Sequence, residues 1–369
     1  MSRNLFFGIT SRVLMTIVAA LTFLSMLSIV VNPARMWVVT LLGLLFIPLA
    51  LLNFILLVWA VKRRSKSFVI PLVALLPTFF FMGLYVRVPL GELLHKDEAE
   101  SSSVALAGSE PQLRFLTYNV GRFALYDKDL DIEDRRSCVD SICAFILSEK
   151  PDIVCLQEVY IPNDQSLKKA ILKKLKGYNA EYYLFTDKNG SYGNLTLSRF
   201  PVRGKGKIKF DGSANLAIYT DYEAYGRKFR VYNCHFESYN ISFTGIVRAL
   251  FSVDGDVFNE TGNKFIRSVS RRPKQVDQVF SDIENCPVES FVCGDFNDNP
   301  MSYTYYRMTR GRRDAFVDAG KWFGATYSLL WPLLRIDYVL YPDRYRAVFS
   351  QSPRIGYSDH YPVVADVVL

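Results

Sequence analysis

Acidic residues are almost absent from the first quarter of the chain. The first 96 residues contain one acid, Glu92, and nine lysines or arginines. Subtracting these from the chain totals of 36 acids and 44 bases leaves 35 of each for the remainder. The basic character therefore belongs to the N-terminal region, and the net charge of +8 is no indication that the rest binds nucleic acid.

Charged residues are also missing from three long apolar runs in this region, Val13–Val31, Met36–Val61 and Phe68–Val86. The runs contain 19, 26 and 19 residues, and each is long enough to cross a bilayer as a helix. The sequence therefore predicts a three-span transmembrane anchor over residues 1–96, without the intramembrane charge that a proton relay or ion path requires. A secretory signal peptide is the alternative for the first run, but its apolar core is longer than usual and two more runs follow.

Basic residues predict the orientation of this anchor. The cluster Lys62–Lys66 is the largest near any span end, and with the arginines of the N-terminus it is expected to stay in the cytoplasm. Three spans would then place everything after Val86 on the far side of the membrane. Residues 97–111 are small, polar and acidic, which is typical of a flexible linker, so the second domain is expected to cover residues 112–369.

Histidine is scarce, and cysteine is absent before residue 138. The histidines are His95, His235 and His360, and all six cysteines lie in the second domain. No cysteines and histidines have the spacing of zinc ligands, which argues against a zinc site. Three of the cysteines fall inside predicted core strands, so the sequence predicts mostly free thiols.

The stretch FVCGDFNDNP, Phe291–Pro300, has the pattern of a buried strand followed by polar residues. Gly294 permits a sharp turn, from which Asp295 and Asn297 are expected to emerge together. An aspartate can take a proton from water and an asparagine amide can orient a phosphoryl oxygen, so the pair suits phosphoester hydrolysis. A plain Asp/Asn-rich turn is the alternative for this stretch taken alone.

Polar residues recur beside other apolar, strand-like segments. They are Asn119, the pair Gln157-Glu158, His235, Asp337 and the pair Asp359-His360. Predicted helices lie between them, at about Arg135–Ser148, Ser166–Leu175 and Lys274–Ile283. In many layered α/β folds such strand ends converge on one edge of a sheet, which favours a functional site over isolated structural hydrogen bonds.

Seven short motifs in this region follow one another in a characteristic order. They are TYNVGRF (Thr117–Phe123), DIVCLQEV (Asp152–Val159), GNLTLSRFPV (Gly193–Val202), NCHFES (Asn233–Ser238), GDFNDNP (Gly294–Pro300), RIDYVL (Arg335–Leu340) and SDHYPV (Ser358–Val363). This order resembles that of the endonuclease/exonuclease/phosphatase superfamily, the DNase I-like metal-dependent phosphohydrolases. The resemblance implies a four-layer α/β sandwich, with two sheets packed face to face and helices outside.

The resemblance also implies a metal site. Glu158 would be the principal metal ligand, with Asn119 and Asp359 beside the ion. Mg²⁺ suits a site with one or two carboxylates that keeps several waters, and Mn²⁺ is an alternative. Gly121 stands where nuclease branches often carry an acid, so a second metal on that side is doubtful.

Catalytic roles follow from the same resemblance. Asp295 would activate or position the attacking water, Asn297 would hold the phosphate, and His235 and His360 would stabilise its developing charge. Asp337 would be the partner of a histidine, keeping its ring oriented and protonated. Residues of the third motif that are usually small are partly replaced, at Leu195 and Thr196, and the sequence alone does not explain this.

The implied activity is phosphoester hydrolysis by a membrane-tethered enzyme that acts outside the cytoplasm, in the periplasm if the spans cross a bacterial inner membrane. The alternatives are an extracytoplasmic nuclease and a catalytically inactive relative that binds a phosphorylated ligand or a protein. Because the second domain has no net positive charge to neutralise phosphates, a lipid-linked or small-molecule phosphoester is favoured over nucleic acid.

Apolar residues between Phe243 and Phe251 recur with helical spacing and form one stripe. The stripe is expected either to pack on its own domain or to rest on the membrane surface beside the site.

Overall fold

A computed structural model describes residues 3–89, 110–124, 132–239 and 255–369 of the chain. The chain divides into two compact units, the first made of Met1–Tyr85, Ser238–Lys274 and Asp298–Arg307 and the second of Val86–Glu237, Gln275–Asn297 and Met308–Leu369. Most of the predicted linker and the stripe from Phe243 to Phe251 lie outside the described residues. The linker, the domain boundaries at its ends and the role of the stripe therefore stay predictions.

The N-terminal part of the first unit is helical. Its helices are α1 (Arg3–Met26), α2 (Trp37–Leu44), α3 (Phe46–Lys62) and α4 (Val69–Met82). Among the described residues one helix, Ile9–Ile29, is long and apolar enough to cross a membrane, and α2 with α3 would make a second span only as a pair bent by 60°. The prediction of three transmembrane helices is wrong, and multi-pass membrane localisation loses its support.

A proline explains why the second apolar run does not form one long helix. Pro48 has no N–H to donate to the carbonyl of Leu44, so the second run breaks at Leu45, whose φ and ψ are −88° and 8°. The third run has Pro71 in the first turn of α4, and its helix ends at Met82, four residues before the run does. An apolar run shows how many residues could span a bilayer, but not whether one helix continues through them.

One other segment of the first unit, Asp298–Arg307, binds to its helices through hydrogen bonds to backbone carbonyl groups. Ser28 Oγ donates to the carbonyl of Met301 at 2.7 Å, and Asn299 Nδ2 donates to the carbonyl of Gly43 at 3.0 Å. A Cβ on Gly43 would lie 2.4 Å from Ser28 Oγ and 2.5 Å from the Met301 carbonyl oxygen. Only glycine therefore permits this close packing.

The second unit is built on strands that form two six-stranded sheets and one two-stranded sheet. The strands are β1 (Val86–Arg87), β2 (Gln112–Asn119), β3 (Ile153–Pro162), β4 (Asn179–Asp187), β5 (Gly190–Ser198), β6 (Gly204–Lys209), β7 (Leu216–Ala224), β8 (Arg227–His235), β9 (Glu289–Asp295), β10 (Arg312–Asp314), β11 (Trp322–Phe323), β12 (Asp337–Pro342), β13 (Arg346–Gln351) and β14 (Val363–Val368). The first large sheet has the order β13-β14-β2-β3-β5-β4, and the second has β10-β12-β9-β8-β7-β6. Only β2–β3 and β8–β9 pair in parallel among these strands.

The two large sheets pack face to face because their strands direct apolar side chains to both faces. In β2, Leu113 and Phe115 join the core between the sheets, whereas Leu116 and Tyr118 join the core on the helical side. Phe115 stacks on Phe291 of the second sheet with ring centroids 4.8 Å apart. The sandwich predicted from the sequence is confirmed as two packed sheets with helices outside.

Three helices lie near the positions that the sequence predicts. They are α5 (Ile132–Glu149), α6 (Ser166–Lys174) and α7 (Gly255–Glu284), and two short helices, α8 (Tyr303–Met308) and α9 (Ala315–Ala319), lie where none is predicted. Apolar residues of α5 and α6 cover the outer face of the first sheet. Helix α7 begins well before the predicted start, and its last turns bury an apolar face on the second unit.

All six cysteines are free thiols, as the sequence predicts for most of them. Five are buried and Cys286 is half-buried. Burial raises the pKa of Cys138 to about 11 and that of Cys143 to about 12. These thiols therefore behave as small apolar core residues and not as nucleophiles.

Candidate active site

Three of the predicted site residues form one row across neighbouring strands of the second sheet. His235, the last residue of β8, is the register partner of Asp295, the last residue of β9. Asp295 is also the register partner of Asp337, the first residue of β12. Residues in register on adjacent strands point to the same side of a sheet, so the ladder itself brings the three side chains together.

Gly294 has a different role from the one that the sequence suggested. It lies inside β9 with φ 139°, and a Cβ built on it would be 1.9 Å from the carbonyl oxygen of Cys234. Glycine is required because β8 and β9 approach too closely for a side chain, and not because the strand turns there. The turn follows Asp295, and Asn297 adopts φ 51° in it.

The first sheet contributes Glu158 through an irregularity in β3. The pairing of β3 with β5 shifts register between Leu156 and Val159, and Glu158 has a φ of 54°. A positive φ is strained for a residue other than glycine, and an irregularity of this kind re-aims a side chain. The strain at Glu158 is therefore associated with turning its carboxylate toward the site.

Asn119, the last residue of β2, connects the two sheets. Its Nδ2 donates to Glu158 Oε1 at 3.2 Å and to Asp295 Oδ2 at 2.9 Å, and its Oδ1 accepts from the backbone N–H of Gly121 at 3.0 Å. In this orientation the amide faces both carboxylates as a donor. It therefore holds Glu158 and Asp295 at fixed positions across the sandwich.

His235 adds an unpaired nitrogen to the same space. Its Nε2 lies 3.7 Å from both Glu158 Oε1 and Asp295 Oδ2. Within the described part of the chain this buried nitrogen has no hydrogen-bond partner. A buried polar atom without a partner is costly, so the position indicates a place for an oxygen of a ligand.

His360 is held by Asp337 and faces Asp295. Its Nδ1 lies 2.9 Å from Asp337 Oδ2, and its Nε2 lies 3.8 Å from Asp295 Oδ2. Burial lowers the pKa of His360, but the negative charges of Asp337 and Asp295 and the hydrogen bond to Asp337 outweigh it and raise that pKa well above its usual value. The ring is therefore a cation at neutral pH, with Nδ1–H donating to Asp337.

Asp295 is the central group of the site and is fully buried. Burial raises its pKa to about 6, and the charge of Asp337 acts in the same direction. The charges of His360 and His235 and the hydrogen bond from Asn119 oppose this rise. A carboxylate with a pKa close to neutral is well suited to accept a proton from water.

The two remaining predicted residues lie at the margin of this cluster. The backbone N–H of Asn297 donates to Asp295 Oδ1 at 2.7 Å, and its Nδ2 donates to Asp295 Oδ2 at 3.1 Å and to the carbonyl of Phe236 at 3.0 Å. Asp359 is exposed, and its carboxylate accepts from Ser358 Oγ at 3.3 Å. Asn297 thus contacts the site directly, whereas Asp359 affects it by raising the pKa of His360.

The donor set around Glu158 fits a magnesium ion. The Glu158 side chain is 13 % exposed, so its carboxylate is open to water on one side, unlike that of Asp295 at 1 %. A magnesium ion needs one or two carboxylates and keeps the rest of its shell for water and substrate. The unpaired His235 Nε2 beside Glu158 leaves room for such oxygens.

A second group of side chains also lies close enough to share an ion. Single atoms of Asp295, Asp337 and His360 are all within 4.8 Å of one another. Asp337 and His360 are already hydrogen-bonded to each other, and a protonated histidine has no lone pair for a metal. This group is therefore better understood as a charged hydrogen-bonded network than as a metal site.

Sequence reasoning missed three residues that surround the site. The Tyr327 ring lies edge-on to His360, with centroids 5.3 Å apart. Arg122 has φ 57°, and its guanidinium lies 4.9 Å from the centre of the Tyr192 ring. Burial and the charge of Glu158 raise the pKa of Tyr192, which places this tyrosine in the field of the site. The only signal in the sequence was Arg122 within the motif TYNVGRF.

A buried polar network joins the sheets beneath the site. Gln157 Nε2 donates to Asn233 Oδ1 at 2.8 Å, and Asn233 Nδ2 donates to Thr196 Oγ1 at 3.2 Å. Asn194 Nδ2 donates to the carbonyl of Asn233 at 3.1 Å. The unexplained Thr196 therefore has a function in the structure, since its hydroxyl accepts one proton of the Asn233 amide.

Two family models match the chain. A sequence model of the Endonuclease/Exonuclease/phosphatase family matches residues 116–360. A second model, of a domain of unknown function (DUF8431), matches residues 4–85. No curated protein matches the chain significantly.

Several solved structures share the fold. An endonuclease/exonuclease/phosphatase from Bacteroides vulgatus is 19% identical with a TM-score of 0.52, over 70% of this chain and 100% of that one. The human Nocturnin catalytic domain, solved with a bound sulfate anion, is 20% identical with a TM-score of 0.51, over 70% and 94%. A humanized D. rerio TDP2 is 17% identical with a TM-score of 0.51, over 70% and 99%. Because the family match also covers more than half of the 369 residues, the chain belongs to the endonuclease/exonuclease/phosphatase family.

Proposed function

We propose that this member of a family of phosphoester hydrolases is a Mg²⁺-dependent phosphodiesterase or phosphatase. The observation that carries the proposal is the environment of Asp295. Its carboxylate has a pKa raised to about 6 and lies within 3.8 Å of two histidine nitrogens, His235 Nε2 and His360 Nε2. A base between groups that stabilise negative charge is what phosphoester hydrolysis by water requires.

Each residue then has one task. Asp295 accepts a proton from the attacking water, and the backbone N–H and side-chain amide of Asn297 hold Asp295 in place and face the phosphoryl group. The His360 cation donates through Nε2 to a phosphoryl oxygen, while Asp337 keeps Nδ1 protonated and the ring oriented. His235 Nε2, which has no partner among the described residues, contacts a second phosphoryl oxygen.

Glu158 would hold the magnesium ion, oriented by the hydrogen bond from Asn119 at 3.2 Å. Asp359, which is exposed, would reach the ion through water. When bound, the ion supplies positive charge that offsets the charge on the phosphoryl oxygens. Mn²⁺ is expected to substitute, since it takes the same oxygen ligands in the same geometry.

A membrane tether with the active site outside the cytoplasm also belongs to the proposal. Helix Ile9–Ile29 would be the anchor. The proposed orientation has the N-terminus in the cytoplasm, so one span leaves the domain, and the Lys62–Lys66 cluster with it, on the far side. Alkaline phosphatase fused after Leu369 should then be active, and a fluorescent protein that folds only in the cytoplasm should stay dark there. The reverse pattern would place the domain in the cytoplasm.

A lipid-linked or small-molecule phosphoester is the proposed substrate class. One basic cluster that could have bound nucleic acid lies on β6, the edge strand of the second sheet. Lys205 there pairs with Glu181 at 2.9 Å, and Lys207 and Lys209 lie over the Tyr183 ring. Lysines on an edge strand commonly prevent pairing with other chains, so this cluster supplies no independent sign of a nucleic-acid groove.

The test uses the purified full chain and bis(4-nitrophenyl) phosphate, a soluble activated phosphodiester. Turnover is expected with Mg²⁺ or Mn²⁺ and is expected to stop in EDTA. Asp295→Ala and His360→Ala should each abolish it, and equal turnover in either variant would refute the mechanism. A wild type that hydrolyses DNA best would make it a nuclease, and one that is silent on lipid, sugar and nucleic-acid phosphates would make it a binding protein.

A further inference from the structure

The segment between β11 and β12 exposes large apolar side chains to solvent. We call residues 322–333 the aromatic loop. Its exposed members are Trp322, Phe323, Leu329, Leu330, Trp331 and Leu333, and Trp322 and Leu329 are 54% and 55% exposed. Single exposed apolar residues are common, but six in a segment of twelve residues, two of them tryptophans, mark an interaction surface.

The loop is held in this exposed position by its own backbone. The N–H groups of Thr326 and Tyr327 both donate to the carbonyl of Leu334, at 3.0 and 3.1 Å. Thr326 Oγ1 accepts from the N–H groups of Ile336 and Asp337 at 3.0 and 3.1 Å. These hydrogen bonds give the loop a fixed backbone base. The exposure of its apolar side chains is therefore not the result of a loose segment.

The same base is part of the active site. Tyr327 contacts the ring of His360, with centroids 5.3 Å apart. The backbone N–H of Ser328 donates to the carbonyl of Asp359 at 2.8 Å, and that of Tyr361 donates to the carbonyl of Thr326 at 2.6 Å. A surface that binds the aromatic loop would therefore bring its own phosphate groups close to His360.

The aromatic loop is also tied to the end of the apolar N-terminal region. Its first two residues form β11, which pairs with β1 in the register Val86↔Phe323 and Arg87↔Trp322. Strand β1 begins four residues after Met82, the last residue of α4. The aromatic loop is therefore paired with the strand that follows the apolar N-terminal helices in the chain.

The residue types match the chemistry of a membrane interface. Trp331 packs edge-on against Phe323 with centroids 5.6 Å apart, and the guanidinium of Arg354 lies 4.7 Å from the centre of the Trp331 ring. Tryptophans concentrate at headgroup depth, where one side of the ring is apolar and the other is wet. An arginine beside them can reach lipid phosphates while its stem covers apolar surface.

We propose that the aromatic loop rests in the headgroup layer of the bilayer and that the substrate is the phosphoester of a membrane lipid. Only the second part of this inference, the lipid substrate, rests on the proposed hydrolytic function. In this arrangement the loop fixes the distance between His360 and the plane of the lipid headgroups. A soluble phosphoester would reach the site without needing the loop.

The first experiment locates the loop by fluorescence and does not depend on activity. The chain has four tryptophans, Trp37, Trp59, Trp322 and Trp331. The full chain carrying Trp37→Phe and Trp59→Phe is reconstituted in vesicles of phosphatidylcholine and phosphatidylglycerol that contain lipids brominated near the headgroup. The matched control has all four tryptophans replaced by phenylalanine and Leu147→Trp, at an exposed position of α5.

Quenching by the brominated lipids should be several-fold stronger for the tryptophans of the loop than for Leu147→Trp, and iodide in the water should quench them less. Equal quenching in the two proteins, or loop tryptophans open to iodide, would overturn the proposal. A loop that is protected from iodide yet not quenched by brominated lipid would mean that a protein covers it, which also rejects the membrane.

The second experiment measures turnover on two substrates with full-chain variants. Leu329→Ser should reduce hydrolysis of phospholipid vesicles by about tenfold, because removing one leucine from an apolar contact weakens it by about that factor. Turnover of bis(4-nitrophenyl) phosphate should stay at the wild-type level. Leu147→Ser, which removes an exposed leucine from α5, should change neither.

The failures of the two proposals look different. A wild type that is silent on both substrates refutes the hydrolytic function, while the fluorescence still decides where the loop lies. A wild type that is active on the soluble ester but shows no difference between Leu329→Ser and Leu147→Ser on vesicles refutes the lipid substrate alone.

Discussion

The two sheets supply the active site in different ways. The second sheet provides His235, Asp295 and Asp337 as register partners on three regular strands. The first sheet provides Glu158 from an irregular position of β3, with φ 54°. Regular strand pairing positions the proposed acid–base groups, and a strained backbone positions the proposed metal ligand.

This difference predicts that substitutions in the two sheets affect turnover in different ways. Groups in the row on the second sheet are buried, and their charges act on one another, so their loss removes a chemical step. Glu158 is partly open to water and is proposed to act through an ion, so its loss should be compensated in part by more metal. The predictions below separate these two kinds of failure.

The largest effect is expected for Asp295→Asn. The substitution keeps the shape of the side chain but removes the base and one of the two oxygens that accept from Asn119 and Asn297, so turnover should fall about a thousandfold, within the range of general-base catalysis. Extra Mg²⁺ should restore nothing. Asp343→Asn, at an exposed acid of the same unit, is the control and should be unchanged. If added Mg²⁺ restored turnover in Asp295→Asn, this residue would belong to the proposed metal site and not to the acid–base row.

Glu158→Gln should have the second largest effect. Turnover at low Mg²⁺ should fall about a hundredfold, since loss of groups that hold a metal costs affinity on that scale or more. Raising Mg²⁺ should recover part of the loss, and calorimetry should show weaker Mg²⁺ binding without substrate. Unchanged binding in that titration would remove Glu158 from the metal site.

A tenfold change per pH unit is expected from the ionisation of Asp295. In metal-free protein, carbon NMR should show one aspartate with a pKa of about 6, raised chiefly by burial. The charge of His235 lowers this pKa, so His235→Gln should move it upward. Because the base must be ionised, turnover should fall as pH drops through that pKa, by about tenfold per unit. A pKa that moves down in His235→Gln would contradict the charge argument.

The sequence predicts the part of the site on the second sheet better than the part on the first sheet. His235 and Asp295 end apolar, strand-like segments and Asp337 begins one, and strand ends meet at one edge of a sheet, so their convergence was predictable. The left-handed conformation of Glu158 was not, because nothing in a local pattern of residues requires it. Tyr327 and Tyr192 were missed because their contacts come from loops and strands distant in sequence.

The N-terminal region shows a different limit of prediction from sequence. Its apolar runs were clear, but Pro48 interrupts the second run, and counting apolar residues ignores such a break. The missing N–H of Pro48 coincides with a break at Leu45, where α2 and α3 meet at a bend of 60°.

The smallest effect is expected where the polar network joins the two sheets. Thr196→Val removes one acceptor of Asn233 Nδ2, which keeps the carbonyls of Leu156 and Leu195 at 3.2 and 3.1 Å. Because the amide keeps these partners, the free energy of unfolding in urea should fall by only about 1 kcal/mol. Gln157→Leu should cost more, since it leaves Asn233 Oδ1 without its donor at 2.8 Å. If the two variants lose equal stability, the network does not hold the sheets in register through Asn233, and Glu158 must be positioned by its own backbone alone.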